Sequence, residues 1–456
     1  MVTPPPPRRE RKYLVLESDS GSNSGFSDGE ASTSHPKKAQ EEWKEERNSD
    51  SISPDRRPED TKRPEFLPPP IEEDCKESVG AVAIVTEPGS NVLMYGMNKD
   101  GCCGEKSTAL QCTKPVSVSP EFVSISLGNS HSAGIDYQGV VFTFGRGRNG
   151  QLGQGGLFNT ERPLPVAHPL HGVPVRKVSC GSGHTLCVTM DGLAYSWGFN
   201  EDGQLGLGDQ YDRLRPFLVS YLKAKVRDVE AGYYHSAAIT EEGALYTWGA
   251  NPDGRLFRPP IRIRYQKFKC DTIPTKVHDL VEISSLSLGK THSILRTSDG
   301  AVYTAGTNNH GELGASQNAE IDQAFFRVAM FSGTLKSKSV SCGDSFCLVL
   351  THKGSIYTFG KGGDGRLGLG DTHDRCSPQC VSTSMRFKKA SCGSRHVLAI
   401  REDDELLSWG CGAYSQLCTQ TDEDLLVPTL VDLSSKTGCW ARDVASGHYH
   451  SAVITV

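Results

Sequence analysis

One short motif recurs seven times at nearly constant spacing, and it constrains the fold more than any other feature of the sequence. In six copies a histidine follows a glycine by three positions, and in the fifth copy Phe346 takes the place of the histidine. Successive motif glycines lie 53, 51, 57, 54, 50 and 54 residues apart. A period of about 50 residues is typical of the four short strands in one blade of a β-propeller. The copies are GNSH (128–131), GSGH (181–184), GYYH (232–235), GKTH (289–292), GDSF (343–346), GSRH (393–396) and GHYH (447–450).

The residues after each motif predict two strands joined by a tight turn. Segments such as TLCVT and SAAIT are short, apolar and partly β-branched, as expected of buried strands. Gly192, Gly243 and Gly354 then allow the positive φ that a tight hairpin needs. A second strand such as LYTW or IYTF follows and ends at a glycine. With the Pro-led stretch beyond it, each repeat accounts for the four strands of one blade.

The two ends of the repeat region predict that the ring closes on itself. The last motif is followed by one strand without an outer hairpin, and residues 89–104 (GSNVLMYGMNKDGCCG) supply the missing half. We therefore predict an all-β, seven-bladed β-propeller over residues 78–456, closed by N- and C-terminal strands, so that no large sheet edge stays open. The seven strands that end at a glycine, one for each motif, end at Gly96, Gly145, Gly198, Gly249, Gly306, Gly360 and Gly410.

Residues 1–77 are predicted to be a disordered acidic tail rich in proline and serine. Up to Asp74 they hold 12 Lys and Arg against 17 Asp and Glu, with few aromatic residues. The whole chain has 49 Lys and Arg against 54 Asp and Glu, so the remainder has 37 of each sign and no net charge. A neutral propeller has no global electrostatic attraction to nucleic acid. Nucleic acid and chromatin are therefore less favoured partners than protein.

Other features of the sequence bear on its location. No apolar run approaches the ~18 to 20 residues that cross a bilayer, and the N-terminus lacks the apolar core of a secretory signal. Single cysteines recur at one repeat position, at Cys180, Cys342 and Cys392, which favours small core residues over disulfides. We expect an intracellular monomer, cytoplasmic and/or nuclear, without a membrane partner.

The composite repeat S-x-G-x-x-H-S-x-x-(I/L/V)-T-x-x-G-x-x-Y-x-W-G-x-N-x-x-G-Q-L-G-x-G resembles that of the regulator-of-chromosome-condensation family over residues 80–456. The resemblance implies a protein-binding scaffold or regulator, with a small GTPase as one partner class, since the founding member is an exchange factor for Ran. In the family's exchange factors, acidic side chains beside the repeat histidine help to form the exchange face, and here Asp344 alone is acidic at those positions. The alternatives are a chromatin- or nucleosome-binding protein, or a substrate-recruiting adaptor in ubiquitin or kinase signalling without exchange activity.

Two sets of residues are candidates for partner binding. The positions between the motif glycine and histidine should share one rim, and tyrosine and arginine are frequent in interface hot spots. A basic segment, residues 255–269, contains no acid and could protrude toward a partner's acidic surface or nucleic-acid phosphates. The alternative is a blade strand with a solvated basic face. The alternative for the rim positions is that they are ordinary loop residues. The rim candidates are Tyr233, Tyr234, Lys290, Asp344, Arg395 and Tyr449, and the basic candidates are Arg258, Arg262 and Arg264.

No catalytic, cofactor or metal site is predicted. GRGRNG (145–150) and GKGGDG (360–365) match G-x-G-x-x-G, but QLGQGG and RLGLGD follow instead of the helix that a phosphate site needs. The repeat histidines occupy equivalent positions on different blades, too far apart to share one ion. We expect them to tie each turn to the next by hydrogen bonds and to tolerate the loss at Phe346; they are His131, His184, His235, His292, His396 and His450.

Overall fold

The strands of the propeller form seven sheets. The computed structural model describes residues 91–456 apart from 106–109, 261–269, 281, 316–324, 332, 420 and 434–438, so the predicted tail, residues 1–77, lies outside the described residues. In the described part of the chain, 28 strands form seven antiparallel four-stranded sheets, and the other elements are two 3-10 turns (Ala329–Phe331 and Gly363–Gly365). The predicted all-β, seven-bladed propeller is confirmed.

Blades are numbered from the first complete sheet. Blade 1 contains β3 (Phe122–Leu127), β4 (His131–Asp136), β5 (Val141–Gly145) and β6 (Thr160–Pro165). Blade 2 contains β7 (Val175–Cys180), β8 (His184–Thr189), β9 (Ala194–Gly198) and β10 (Arg213–Leu218). Blade 3 contains β11 (Val226–Ala231), β12 (His235–Thr240), β13 (Leu245–Gly249) and β14 (Asp271–Lys276).

Blade 4 contains β15 (Ile283–Leu288), β16 (His292–Thr297), β17 (Val302–Gly306) and β18 (Phe326–Arg327). Blade 5 contains β19 (Ser337–Cys342), β20 (Phe346–Thr351), β21 (Ile356–Gly360) and β22 (Arg375–Cys380). Blade 6 contains β23 (Phe387–Cys392), β24 (His396–Arg401), β25 (Leu406–Gly410) and β26 (Leu425–Val431). Blade 7 combines β27 (Ala441–Ser446) and β28 (His450–Thr455) with β1 (Val92–Met97) and β2 (Gln111–Val118).

The hydrophobic core lies between neighbouring blades. The second strand of a blade, such as β12, is buried along its whole length because a blade covers each of its faces. One core cluster joins Ile135 of blade 1 to Val178 and Trp197 of blade 2, and similar clusters fill the other spaces between blades. Burial on both faces explains why these strands are nearly continuous apolar runs.

Both ends of the described chain contribute to blade 7. Its strand order is β2-β1-β28-β27, and Val92 of β1 pairs with Ile454 of β28 while Gly96 pairs with His450. The predicted closure by N- and C-terminal strands is therefore confirmed.

The glycines of the repeat are required where backbone segments approach closely, both within a blade and between adjacent blades. A Cβ atom on Gly181 would lie 2.5 Å from the carbonyl oxygen of Gly232 and 2.4 Å from the ring of His184. At Gly198, which ends β9 with φ +102°, a Cβ atom would lie 2.5 Å from the carbonyl oxygen of Gly183. These contacts explain both the motif glycine and the glycine that ends each third strand.

The described residues contain no helix of the length and apolar character that would span a membrane. The fourteen described cysteines form no disulfide with one another, and the three at the recurring position, Cys180, Cys342 and Cys392, are buried.

Candidate protein-binding face

The loops between the first and second strands of the blades surround one mouth of the central channel. We call this surface the loop face; it consists of the seven glycine-to-histidine loops. Backbone hydrogen bonds join loops of neighbouring blades. For example, the Ser182 N–H donates to the Gly232 carbonyl (3.3 Å), and the His448 N–H donates to the Gly128 carbonyl (3.1 Å). The second of these bonds connects blade 7 to blade 1. These bonds hold the backbones of neighbouring loops together at most boundaries between blades.

The repeat histidines lie beneath the loop face and contact the next blade. Each is fully buried, and five of them place Nε2 against a serine or threonine hydroxyl of the neighbouring second strand. Those pairs are His131–Thr185 (2.9 Å), His184–Ser236 (3.0 Å), His235–Ser293 (2.9 Å), His396–Ser451 (2.8 Å) and His450–Ser132 (3.1 Å), whereas His292 Nε2 meets the carbonyl oxygen of Phe346 at 3.3 Å.

The hydroxyl partners define which ring nitrogen carries the proton. Thr185 Oγ1 donates its own hydrogen to the carbonyl oxygen of Gln151 (2.8 Å), so it accepts from His131, whose Nε2 must be the donor. Burial lowers the pKa of His131 to about 3, so the ring is neutral near pH 7. A neutral imidazole in a fixed tautomer, away from solvent, suits a structural contact better than proton transfer.

The fifth copy of the motif departs from this pattern on both sides of the contact. Phe346 has no ring N–H, and the residue that would accept from it on blade 6 is Val397 rather than serine or threonine. The carbonyl oxygen of Arg366 corresponds to that of Gln151, which accepts from both a hydroxyl and a tryptophan indole. It has no hydroxyl donor, but it still accepts from the indole of Trp409 (3.1 Å). The loss of the donor is therefore matched by the loss of its acceptor.

A tyrosine of blade 3 reaches across the channel mouth to blade 7. The Tyr233 hydroxyl lies 2.9 Å from His448 Nδ1, although the two residues are 215 positions apart in the chain. Burial is the main cause that raises the pKa of Tyr233 and lowers that of His448 to about 4. The phenol therefore donates to a neutral imidazole, and this bond bridges the mouth of the channel.

Further aromatic rings extend this bridge into a row, the aromatic row, which consists of Tyr234, Tyr233, His448, Tyr449 and Tyr414. Successive ring centroids are 5.5, 5.8, 4.0 and 4.8 Å apart. Edge-to-face and tilted pairs at these distances stabilise one another. The row supplies a rigid, partly apolar surface on an otherwise polar face.

Charged side chains flank the aromatic row. The Lys290 ammonium lies 5.3 Å from the centroid of Tyr233, within cation–π range, and Lys290 is exposed. Arg395 is also exposed and lies 3.9 Å from Asp364, whose carboxylate makes a closer pair with Arg366 at 2.5 Å. Asp344 is half-buried and is near enough to influence the pKa of both Tyr233 and His448.

The structure thus brings together the six rim candidates of the sequence analysis: Tyr233, Tyr234, Lys290, Asp344, Arg395 and Tyr449. Sequence reasoning did not select His448, Tyr414 or Asp364. His448 stands beside Tyr449 in a motif loop, so its position was available from the repeat. Tyr414 and Asp364 lie in the loops after third strands, and no repeat pattern distinguishes them.

The basic candidates are placed differently from the rim candidates. Arg258 is not a protruding cation: its guanidinium pairs with Asp271 at 2.9 Å and donates to the Thr247 carbonyl at 3.0 Å, and its side chain is 19% exposed. It thus connects β13 and β14 within blade 3 instead of presenting charge to a partner. Arg262 and Arg264 lie outside the described residues.

The channel below the loop face is polar. It forms a cavity of about 290 Å³ lined by the first strands of the blades. Lys177 pairs with Asp228 (3.5 Å) and Lys389 with Asp443 (2.9 Å), each across adjacent blades. Burial raises the pKa of Glu230 to about 7 despite the nearby Lys177. The channel wall therefore carries charged pairs that join one blade to the next.

Both G-x-G-x-x-G strings lie in loops after third strands, at the same place in blades 1 and 5. The second string contains a three-residue 3-10 turn, Gly363–Gly365, and no α-helix follows either string in the described residues. The arrangement lacks the helix N-terminus that binds a dinucleotide phosphate.

Comparisons with known proteins match the repeat and the fold. A family model described as the RCC1-like domain matches residues 219–453, and two models of the regulator of chromosome condensation (RCC1) repeat match residues 138–188 and 191–239, and residues 122–151 and 175–204. The ultraviolet-B receptor UVR8 of Arabidopsis thaliana is 31% identical over 368 residues, which are 79% of this chain and 82% of the receptor.

Two further matches differ in what they cover. The E3 ubiquitin-protein ligase HERC2 of Mus musculus is 31% identical over 406 residues, which are 84% of this chain but 8% of the ligase. A crystal structure of Prp20p from Saccharomyces cerevisiae, described with its binding to Gsp1p and histones, has a TM-score of 0.70 at 20% identity and covers 80% of this chain and 91% of that chain. At that identity the likeness shows the fold alone.

Proposed function

The chain belongs to the regulator-of-chromosome-condensation family, and on that premise we propose that its propeller is a regulator that binds a partner protein on the loop face. The observation that carries this proposal is the aromatic row, which crosses the channel mouth from Tyr234 to Tyr414. Tyrosines that are held rigidly by one another lose little entropy on binding, and they contribute strongly to interfaces.

The charges beside the row indicate the chemistry of the partner. Lys290 and Arg395 are exposed, whereas Asp344 and Asp364 are partly covered and Asp364 is already paired with Arg366. The loop face therefore offers cations and aromatic rings together. A partner segment that carries Asp or Glu next to apolar side chains fits this surface, with the charges setting orientation and association rate.

A small GTPase is the partner class we place first, because the resemblance to the family implies it. Prp20p, which shares the fold, is described as binding Gsp1p and histones. Exchange activity is a separate matter. An exchange factor must hold the nucleotide-free GTPase well enough to offset the lost phosphate and magnesium contacts. With Asp344 as the one acidic residue among the paired loop positions, we expect this chain to bind without strong exchange on Ran. Chromatin and ubiquitin or kinase substrates are the alternative partners that the test distinguishes.

The test compares capture by the full chain and by a double variant of the loop face, Tyr234→Ala with Lys290→Ala. Both side chains are exposed, so the fold should be retained. We expect at least a tenfold weaker interaction with any partner that is recovered and then purified, and an interaction that fades as salt rises. Nucleotide release from Ran, and from any other GTPase recovered, is measured in parallel.

The matched control is Tyr137→Ala. Tyr137 is 62% exposed and lies in the β4–β5 turn, at the end of blade 1 opposite to the loop face. Partner binding that survives in the loop-face variant, or that is lost equally in the Tyr137 variant, would refute the proposed face.

A further inference from the structure

Two thiols and an imidazole converge at the boundary between blades 4 and 5. The ligating atoms of His292, Cys342 and Cys347 all lie within 4.8 Å of one another, and the two sulfur atoms are 3.7 Å apart. His292 and Cys347 are fully buried, and Cys342 is 8% exposed. Among the residues that the structure describes, no other group of three His, Cys, Asp or Glu side chains converges in this way. We propose that these three side chains bind one soft metal ion, Zn(II) or Cu(I).

The site arises where the repeat changes two residues that face each other. Cys342 and Cys347 are directly opposed on β19 and β20. At the equivalent positions of blade 2, Cys180 faces Thr185, and in blade 6, Cys392 faces Val397. Blade 5 is thus the blade in which the recurring cysteine meets a second thiol, and the histidine of blade 4 completes the set.

His292 lacks the partner that the other repeat histidines have. Elsewhere Nε2 donates to a serine or threonine hydroxyl, but here that position is Cys347, and Nε2 makes a 3.3 Å contact with the Phe346 carbonyl instead. The Cys347 thiol takes over the other half of the serine's role, by donating to the Glu312 carbonyl at 3.4 Å. A buried imidazole that makes one long Nε2 contact and lies beside the Cys342 thiol is available as a ligand.

The separation of the two sulfur atoms fits a shared metal ion. Two thiolates bound tetrahedrally to Zn(II) at about 2.3 Å lie about 3.8 Å apart, close to the separation found here. Two thiolates would also neutralise a divalent ion in this buried place.

The ligand types narrow the choice of ion, and the central channel gives the ion a route to the site. Thiolate and imidazole ligands select Zn(II) and Cu(I) over Mg(II) or Ca(II). Three protein ligands suffice for trigonal Cu(I), whereas Zn(II) would add a backbone carbonyl or a water molecule. An ion can enter through the central channel, because Cys342 lines its wall. Once bound, it would join blade 4 to blade 5 in place of the missing histidine–hydroxyl bond and fix the loop that carries Asp344.

The decisive variant is Cys347→Ser, which removes a ligand and restores the hydroxyl found at this position in most other blades. It should fold, since the introduced hydroxyl would accept from His292 and donate to the Glu312 carbonyl, as Ser293 does with His235 and Arg255. The full chain, reduced and stripped of metal, is loaded separately with Zn(II) and with Cu(I) under argon. Bound metal is counted by elemental analysis and native mass spectrometry, and Co(II) serves as a spectroscopic probe of thiolate ligation.

We expect the wild-type chain to bind one more equivalent of Zn(II) or Cu(I) than the Cys347→Ser variant. Its Co(II) complex should show a thiolate charge-transfer band that the variant lacks. Cys392→Ser, which removes the equivalent lone thiol of blade 6, is the control and should bind as much metal as the wild type. Equal metal content in wild type and Cys347→Ser overturns the proposal. The proposal is also overturned if Cys342 and Cys347 form a disulfide and the reduced wild-type protein still binds no more metal than the Cys347→Ser variant.

Discussion

Acid should destabilise the propeller through the buried histidines beneath the loop face. Burial lowers the pKa of four of them to about 3, from an ordinary value of about 6.5. The unfolded chain therefore binds these protons more tightly than the folded chain does. Their contribution to the free energy of unfolding is therefore complete above about pH 6.5, and it is lost as the pH falls toward 3. The four residues are His131, His184, His396 and His450.

The size of the effect follows from the two pKa values. A fall in pH from 7.5 to 5.5 lowers the free energy of unfolding by about 1.4 kcal/mol for one such histidine and by about 5.5 kcal/mol for four. Glu230 acts in the opposite direction over this interval, because burial raises its pKa to about 7. The contribution of Glu230 cancels when two variants that both retain it are compared. The difference between variants is therefore the quantity to measure.

The blade 5 to blade 6 contact provides a template for such a variant. There Phe346 and Val397 replace histidine and its hydroxyl partner, and the carbonyl of Arg366 keeps the Trp409 indole as donor. His131→Phe with Thr185→Val reproduces that pair between blades 1 and 2. The Gln151 carbonyl would likewise keep the indole of Trp197, at 2.8 Å.

The assay is urea unfolding at pH 7.5 and 5.5, followed by the fluorescence of the buried tryptophans. We expect the loss of stability on acidification to be smaller in the double variant than in the wild type by about 1.4 kcal/mol. Thr185→Val alone is the control: it removes the acceptor but keeps the buried His131, so the pH dependence should stay. An identical pH dependence in the wild type and the double variant would refute the reasoning.

Two further predictions concern ring closure and loop packing. Deletion of residues 1–77 should leave the melting temperature nearly unchanged, whereas deletion of residues 1–98 removes β1 and should destabilise the ring through an unpaired β28 edge; equal melting curves would contradict the closure model. Gly181→Ala should cost roughly 3 kcal/mol or more because its Cβ atom would meet the Gly232 carbonyl, while Gly333→Ala, with nothing within 4 Å, should cost little. Thermal unfolding of the two alanine variants checks this difference, and equal melting temperatures would show that the close approach is relieved cheaply.

The repeat determined how much of the fold could be predicted. Because every copy has the motif glycine and most copies have a turn glycine after the second strand, the number of blades and the pairing of the terminal strands followed from alignment within one chain. The rim candidates followed in the same way, since Tyr233 and Lys290 occupy matching positions in adjacent motifs.

Contacts that break the symmetry were beyond this reasoning. The bond from Tyr233 to His448 crosses the channel between blades that are not neighbours, and no repeat position implies it. The pairing of Arg258 with Asp271 depends on where the chain after blade 3's third strand returns to the sheet. The opposed thiols of blade 5 were visible as cysteines five residues apart, but their meeting with His292 required the packing between blades.

The composition of blade 7 sets a condition on synthesis of the molecule. Val92 cannot pair until Ile454, its partner 362 positions later in the chain, has been synthesised. At about 5 to 20 residues per second, a ribosome needs roughly 20 to 70 s to make that interval. During this time the partial ring has two uncovered blade faces, one on the first complete blade and one on the newest, while β1 and β2 remain without the other two strands of their blade. Slow translation or crowding would therefore favour pairing with a second nascent chain, and a chaperone that shields β1 would increase the yield of closed rings without changing their stability.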